Sequence, residues 1–350
     1  MIYLFCAIFV IIISLVFLEE YMSKYRSIFF WGLCCVLVVF TGFKPIGLDA
    51  DSVIYEELFY SADSDNPNIL VEYSFSLLAN LSKFIAEDAH VLFFIYAAIA
   101  ISIKFWAIKE NSEYYFLPLV IYFGNYFILH DYTQIRVSVA SAFLLLSIKP
   151  LSEGNKMKVA LCLLCALFFH YSSLILFSML FLDNKTLNKW WKTSLLAMIP
   201  IGIILFLLKV DLITSIPIET IQKKVEMYRM LGENGTFEAL SLKSPFLWTK
   251  ILMMVYAIYF YDTIYTNCKI LPILLKINGL SIFSFFAFST IPVLGGRVQE
   301  LFGIVEILLF PTIFYTISPK WSAKLIICSI GIIEFVFTVF VWYLLDYHSF

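Results

Sequence analysis

Apolar runs long enough to cross a bilayer recur along the whole chain, at 2–18, 28–43, 89–108, 114–130, 135–149, 193–208, 246–262, 272–292, 298–316 and 325–345. This recurrence constrains the fold more than any other feature. Backbone placed in hydrocarbon must satisfy its own N–H and C=O groups, which only helices and closed barrels do, and the alternating pattern of barrel strands is missing. Composition agrees: 36 Phe outnumber 24 Lys and Arg combined, and 61% of residues are hydrophobic against 14% charged, too apolar for the surface of a soluble domain. The expected fold is all-α, a single integral membrane domain over 1–350 built as a polytopic bundle of about ten spanning helices. The first run lacks a preceding basic stretch and a small-residue cleavage site, so it reads as a retained helix.

The apolar run 157–182 is too long for one comfortable helix and too short for two, with His170, Ser172 and Ser173 at its middle, and it reads as a broken, re-entrant pair. With the N terminus outside, the inner connections then hold Lys24, Arg26, Lys104, Lys109, Lys149, Lys156, Lys158, Lys185, Lys189, Lys192, Lys269, Lys320 and Lys324. The short outer ones hold Lys44, Lys83, Arg136, Lys250 and Arg297, an asymmetry of the positive-inside kind. Two outer segments stand out. The acidic loop 44–88 ends in VEYSFSLLANLSKFIAE, an amphipathic helix at the interface, and the long loop 209–245 contains KKVEMYRMLGENG, a short amphipathic helix that is either a lid or a solvated face. The seven cysteines lie in or beside apolar segments, and the Cys162/Cys165 pair has no partner pair, so packing rather than disulfides, metal or redox chemistry is expected. A net charge of -2 without any basic run gives no reason to expect nucleic acid.

This topology puts the unusual polar residues on one side: Asp49, Asp51, Tyr55, Glu72, Gln134, Arg136, Arg297 and Glu300 face outward, and His170 reaches toward them. Arg136 stands at a helix mouth, where it either snorkels or pairs with Asp131, or else binds an anion bidentately with Gln134 as a neutral donor. Arg297 follows Gly295 and Gly296, either a tight turn with a capping charge or a helix N terminus that adds to an anion site. Asp51 and Tyr55 are four apart and share a helical face; Asp51 is also a candidate N-cap for 52–60, which leaves Asp49 unexplained. Glu72 reads as a helix-start carboxylate or as a catalytic one, and His170 as a satisfied structural histidine or a functional group at a helix break. His90 and His348 are assigned to interfaces without a role. No metal-ligand spacing and no nucleotide-binding loop is present, so neither metal nor cofactor is expected.

GLDADSVIY, the Glu72 that follows it, HDYTQIRVSVASAFLLLSI, ALFFHYSSLIL and the late Arg297 together resemble the EpsG family of Wzy-type polysaccharide polymerases, over residues 40–310. Lys44 stands where an arginine is common in that family. The resemblance implies an O-antigen or exopolysaccharide repeat-unit polymerase of the bacterial inner membrane, a glycosyltransferase with a GT-C-like architecture. It would act on the periplasmic side, joining undecaprenyl-pyrophosphate-linked oligosaccharides as donor and acceptor, beside membrane lipid and alongside a chain-length regulator and a flippase. On that reading Arg136 and Arg297 hold the pyrophosphate in place of a metal, and Asp51, then Glu72, then His170 are candidates for the base. Tyr55, Gln134 and Asp49 contact substrate. An O-antigen ligase and a lipid-linked oligosaccharide flippase are the competing readings. A flippase would carry charge at several depths of the membrane, and the sequence instead suggests charges gathered at one end.

Overall fold

The computed structural model describes residues 1–61, 72–211, 240–341 and 344–345, and every element among them is helical. The central part of the acidic loop, the amphipathic stretch KKVEMYRMLGENG and His348 lie outside the described residues. The chain opens with α1 (Ile2–Leu18) and α2 (Arg26–Gly42), followed by two short helices, α3 (Ala50–Ser61) and α4 (Tyr73–Ile85). The long α5 (Ala89–Asn111) comes next, then α6 (Phe116–Ile121) running into a π-helix (Tyr122–Thr133), α7 (Ile135–Ser152) and α8 (Lys156–Phe169). A 3₁₀ helix (Tyr171–Phe181) leads to α9 (Lys189–Leu207), α10 (Pro245–Tyr259), α11 (Tyr261–Asn267) and α12 (Leu271–Ala287). The last part contains α13 (Pro292–Gly303), α14 (Glu306–Leu309) with a 3₁₀ turn, and α15 (Lys320–Val336) with a π-helical end.

Among the described residues, five helical stretches, 89–111, 135–152, 189–207, 292–315 and 320–341, are long and apolar enough to cross a membrane, and shorter apolar helices cover 2–18, 26–42, 171–181, 245–259 and 271–287. Without a hydrophobic drive between helices in lipid, close packing and internal polar contacts must hold such a bundle. Glycines supply the closeness. A Cβ built on Gly124 would lie 2.5 Å from the Gly331 carbonyl oxygen, so the π-helix and α15 touch backbone to backbone.

Side-chain bonds between turns show which ends of the helices lie together. The Arg26 guanidinium donates to the Glu113 carbonyl (3.0 Å), the Tyr115 N–H donates to Glu19 (2.7 Å), and Lys324 pairs with Glu20 (2.8 Å). Nearby, the Asn184 amide donates to the carbonyls of Ser152 and Lys269, and the Leu187 N–H to the Tyr261 hydroxyl. These turns form one end of the bundle, and exposed Tyr21, Trp190, Tyr259 and Trp321 ring it as interfacial aromatics do. The opposite end carries α3, α4 and the starts of α5, α7 and α10.

The segment 156–181 is a hairpin. Lys156 at its start donates to the Leu180 carbonyl (2.6 Å) and to that of Leu182 at its finish. Fourteen α-helical residues rise about 21 Å, and eleven 3₁₀ residues return about 22 Å. The equal arms bring the chain back to the end it left, with His170 in extended conformation at the tip (φ -152°, ψ 113°).

Three expectations need correction. Lys104 is no loop residue: it is buried inside α5 and pairs with Asp131 (2.7 Å), which also accepts from Tyr122 (2.8 Å) and Ser138. Lys250 is likewise no connection residue but lies buried in α10, bonded to Glu306, which accepts also from Tyr126 (2.7 Å). Charge therefore occurs below the polar end as well as at it. The helix carrying Arg297 begins at Pro292, where a fixed φ suits the first helical position, and not at the glycine pair. Gly295 instead admits a neighbour, since a Cβ there would meet Leu240 at 2.7 Å. Arg297 is thus more than a turn inside α13, beyond the reach of the N-terminal dipole.

Candidate active site

The first wall of the site is built by KPIGLDADSVIY. Gly47 takes a left-handed conformation (φ 89°) that a side chain would resist, and its N–H donates to the Ser52 hydroxyl (3.0 Å). Asp49, not Asp51, is the capping residue: its Oδ1 accepts the Ser52 N–H (3.0 Å), and its Oδ2 accepts from Lys44 (2.9 Å). Lys44 also donates to the Tyr132 carbonyl and lies between the rings of Phe93 and Tyr132. Asp49 is therefore a buried structural carboxylate behind the site, with both oxygens engaged. Capping by Asp49 leaves Asp51 out of the cap, in the combined field of Asp49, Arg297, Lys44 and Arg136. Burial and the Asp49 charge hold the Asp51 carboxyl above its ordinary 3.8, against the pull of Arg297, Lys44 and Arg136. One turn on, the Tyr55 ring lies 5.5 Å from the Arg136 guanidinium, and burial pushes its hydroxyl up to about 12.

The second wall joins three segments far apart in sequence. Glu72 is the N-cap residue of α4, yet its carboxylate caps nothing there. It accepts from Arg136 of α7, from Nδ1 of His170 at the hairpin tip (3.1 Å) and from the Tyr171 N–H (3.3 Å). Burial alone would raise this carboxyl, but the hydrogen bond from His170 and the Arg136 charge win and bring it from 4.5 to about 2. Arg136 thus pairs with Glu72 rather than with Asp131, which Lys104 occupies.

The third wall is α13. Glu300, one turn after Arg297, accepts from Gln134 and shares the field of Arg297, Lys250 and Asp51. Asp51, Tyr55, Glu72, Gln134, Arg136, His170 and Arg297 are thereby gathered at one end of the bundle, with Asp49 behind them. Tyr96 joins this group without having been singled out from the sequence, and Lys44 and Glu300, both placed on the outer side there, join it without an assigned role. Tyr96, on α5, lies in the field of Arg136, Tyr55 and Glu72; nothing in an apolar helix marks it out among the chain's 21 tyrosines. Glu300 was readable as a carboxylate one turn from Arg297.

Several buried polar atoms here have no partner among the described residues: Nε of Arg136, Nε2 of His170 and Oε1 of Gln134. A buried donor or acceptor left unmade costs about 1–3 kcal/mol, so such atoms mark a place where another molecule's polar groups complete the bonding. A donor, an imidazole and an amide acceptor together suit phosphate oxygens and sugar hydroxyls. Among the described residues, no group of three or more His, Cys, Asp or Glu is placed to hold a metal ion.

An all-helical bundle with several apolar helices of spanning length, and a polar site at one end, fits a multi-pass membrane protein. The chain belongs to the EpsG family, whose model matches residues 27–350, nearly its full length. That family is associated with polysaccharide polymerase-like proteins, and the fold fits a membrane protein of polysaccharide biosynthesis. No curated protein and no solved structure gives a significant match.

Proposed function

We propose that the protein is a polysaccharide repeat-unit polymerase of the bacterial inner membrane. It joins undecaprenyl-pyrophosphate-linked oligosaccharides at a site on the periplasmic face by inverting glycosyl transfer. The observation that carries this reading is the meeting of Glu72, Arg136 and His170, from three separate segments, with Nε of Arg136 and Nε2 of His170 buried and without a partner among the described residues. On the expected topology of about ten crossings with a re-entrant hairpin that place lies outside, a reading supported by the basic residues at the opposite end.

Glu72 takes the Nδ1 proton of His170 as a hydrogen bond, which leaves the Nε2 lone pair free to accept another. His170 is then the general base: Nε2 removes the proton of the acceptor hydroxyl, whose oxygen attacks the anomeric carbon while the bond to the lipid pyrophosphate breaks with its electron pair. Glu72, at about 2, is too weak a base for this and serves to orient the ring. Arg136 binds Glu72 through one guanidinium nitrogen, so its Nε can meet a phosphate oxygen, and Arg297 adds a second cation to the departing pyrophosphate. Asp51 faces both arginines and hydrogen bonds an acceptor hydroxyl, with Tyr55 and Gln134 orienting sugar or phosphate oxygens.

The buried pairs Lys104–Asp131 and Lys250–Glu306 bear on a flippase reading, which calls for charge at depth. Each is a closed ion pair with added hydrogen bonds, so polymerisation remains the better account. Purified protein in nanodiscs, given lipid-linked oligosaccharide alone, should build chains of several repeat units. Movement of intact substrate across the bilayer without chain growth would overturn the reading, and transfer only to lipid A core would replace it with a ligase.

A further inference from the structure

His90, the second residue of α5, contacts the site only through the backbone it holds. Its Nδ1 lies 2.7 Å from Oδ1 of Asp88, and its Nε2 lies 3.1 Å from the carbonyl oxygen of Lys44. Both partners are pure acceptors. A neutral imidazole has one N–H and one lone pair, so it can satisfy only one of the two and sets its lone pair against the other oxygen. The imidazolium satisfies both.

The segment so tied is the one that builds the first wall. Lys44 reaches from there to Asp49 and to the Tyr132 carbonyl, and Asp49 caps the helix bearing Asp51 and Tyr55. The charged groups around the ring are Asp88 on its own turn and Lys44 with Asp49 on the facing segment, while the Phe93 ring packs edge-on at 6.2 Å. Asp88 holds its place independently, because the same oxygen caps α5 by accepting the His90 N–H (2.8 Å).

We propose that His90 is a positioning residue whose protonated ring bridges Asp88 and the Lys44 carbonyl, so that acid docks the Lys44–Asp49 segment and alkali releases it. In the imidazolium both bonds hold; loss of the proton breaks one of them. A hydrogen bond involving a charged group is worth enough to change local opening on the order of tenfold or more. The link to catalysis rests on the proposed polymerase reading, but the structural step does not.

The test is hydrogen–deuterium exchange of the full-length protein in nanodiscs over pH 5 to 9, with rates corrected for intrinsic exchange, reading peptides that cover 43–61. Wild type should lose protection there on the order of tenfold as pH rises, while α7 and α12 stay constant. His90→Gln, which has a donor for only one acceptor, should be poorly protected at every pH. Asp88→Asn keeps a capping oxygen but removes the charge that calls for the imidazolium, and should shrink the step, so the test survives if the first variant folds poorly. A wild-type profile without a step, or a step of the same size in His90→Gln, overturns the proposal. If the step stands while no preparation makes polymer, the functional reading fails and the positioning role does not.

Discussion

Glu72→Gln removes a single charge from the junction of α4, α7 and the hairpin tip. The side chain is 4% exposed and that of Arg136 22%, so solvent screens the pair little. The carboxyl stands at about 2 against an ordinary 4.5, a difference worth about 3 kcal/mol. Removing one partner of a buried pair costs about 3–5 kcal/mol, which agrees. The sign follows from the depressed value: the contribution is complete above 4.5 and is lost as pH falls from there toward about 2. Thermal unfolding in detergent, followed by intrinsic fluorescence, should show wild type losing stability through that acid window, and Glu72→Gln starting lower at neutral pH with a flatter acid limb. The variant should also fail to build chains, because His170 loses the group that fixes its tautomer. A Glu72→Gln protein as stable as wild type at neutral pH and unchanged in acid would refute the reasoning.

The two aspartates of GLDAD should separate: Asp49→Asn should lower the unfolding temperature, through loss of the Lys44 pair and a weakened cap, while Asp51→Asn should keep stability and lose chain growth. Lys104→Met should destabilise by about 3–5 kcal/mol in the same assay, and the double change Lys104→Met with Asp131→Leu should recover much of it, since an apolar pair leaves no charge buried. Gly124→Ala should reduce the amount of folded protein in membranes, because its Cβ would lie 2.5 Å from the Gly331 carbonyl oxygen, a backbone atom that cannot step aside.

The helices were legible because hydropathy and length carry them directly, and even the hairpin left a trace in the awkward length of 157–182. What was hidden depended on partners distant in sequence. Lys104 lies near the end of the apolar run 89–108, where a lysine reads as reaching for the interface; only the fold brings Asp131 to it, from 27 positions away. Arg136 had two acidic suitors, and the near one, Asp131, loses to Glu72, which is 64 positions away and reached by the packing of α4. In GLDAD, capping could be assigned to either aspartate on pattern alone, and a two-residue difference in helix start gives the structural role to Asp49 and leaves the Asp51 carboxylate out of the cap. The glycine pair before Arg297 looked like a helix opening, whereas Pro292 sets the start and Gly295 makes room for a neighbour.

The most direct test is O-antigen laddering on a gel from a polymerase-deletion strain complemented with wild type, Arg136→Ala, Arg297→Ala, Asp51→Asn or His170→Gln, with membrane levels matched. Wild type should restore the ladder, and the four variants should leave a single capped repeat unit. Normal ladders from all four variants would contradict the site, and a deletion strain lacking even the single unit would contradict polymerisation itself.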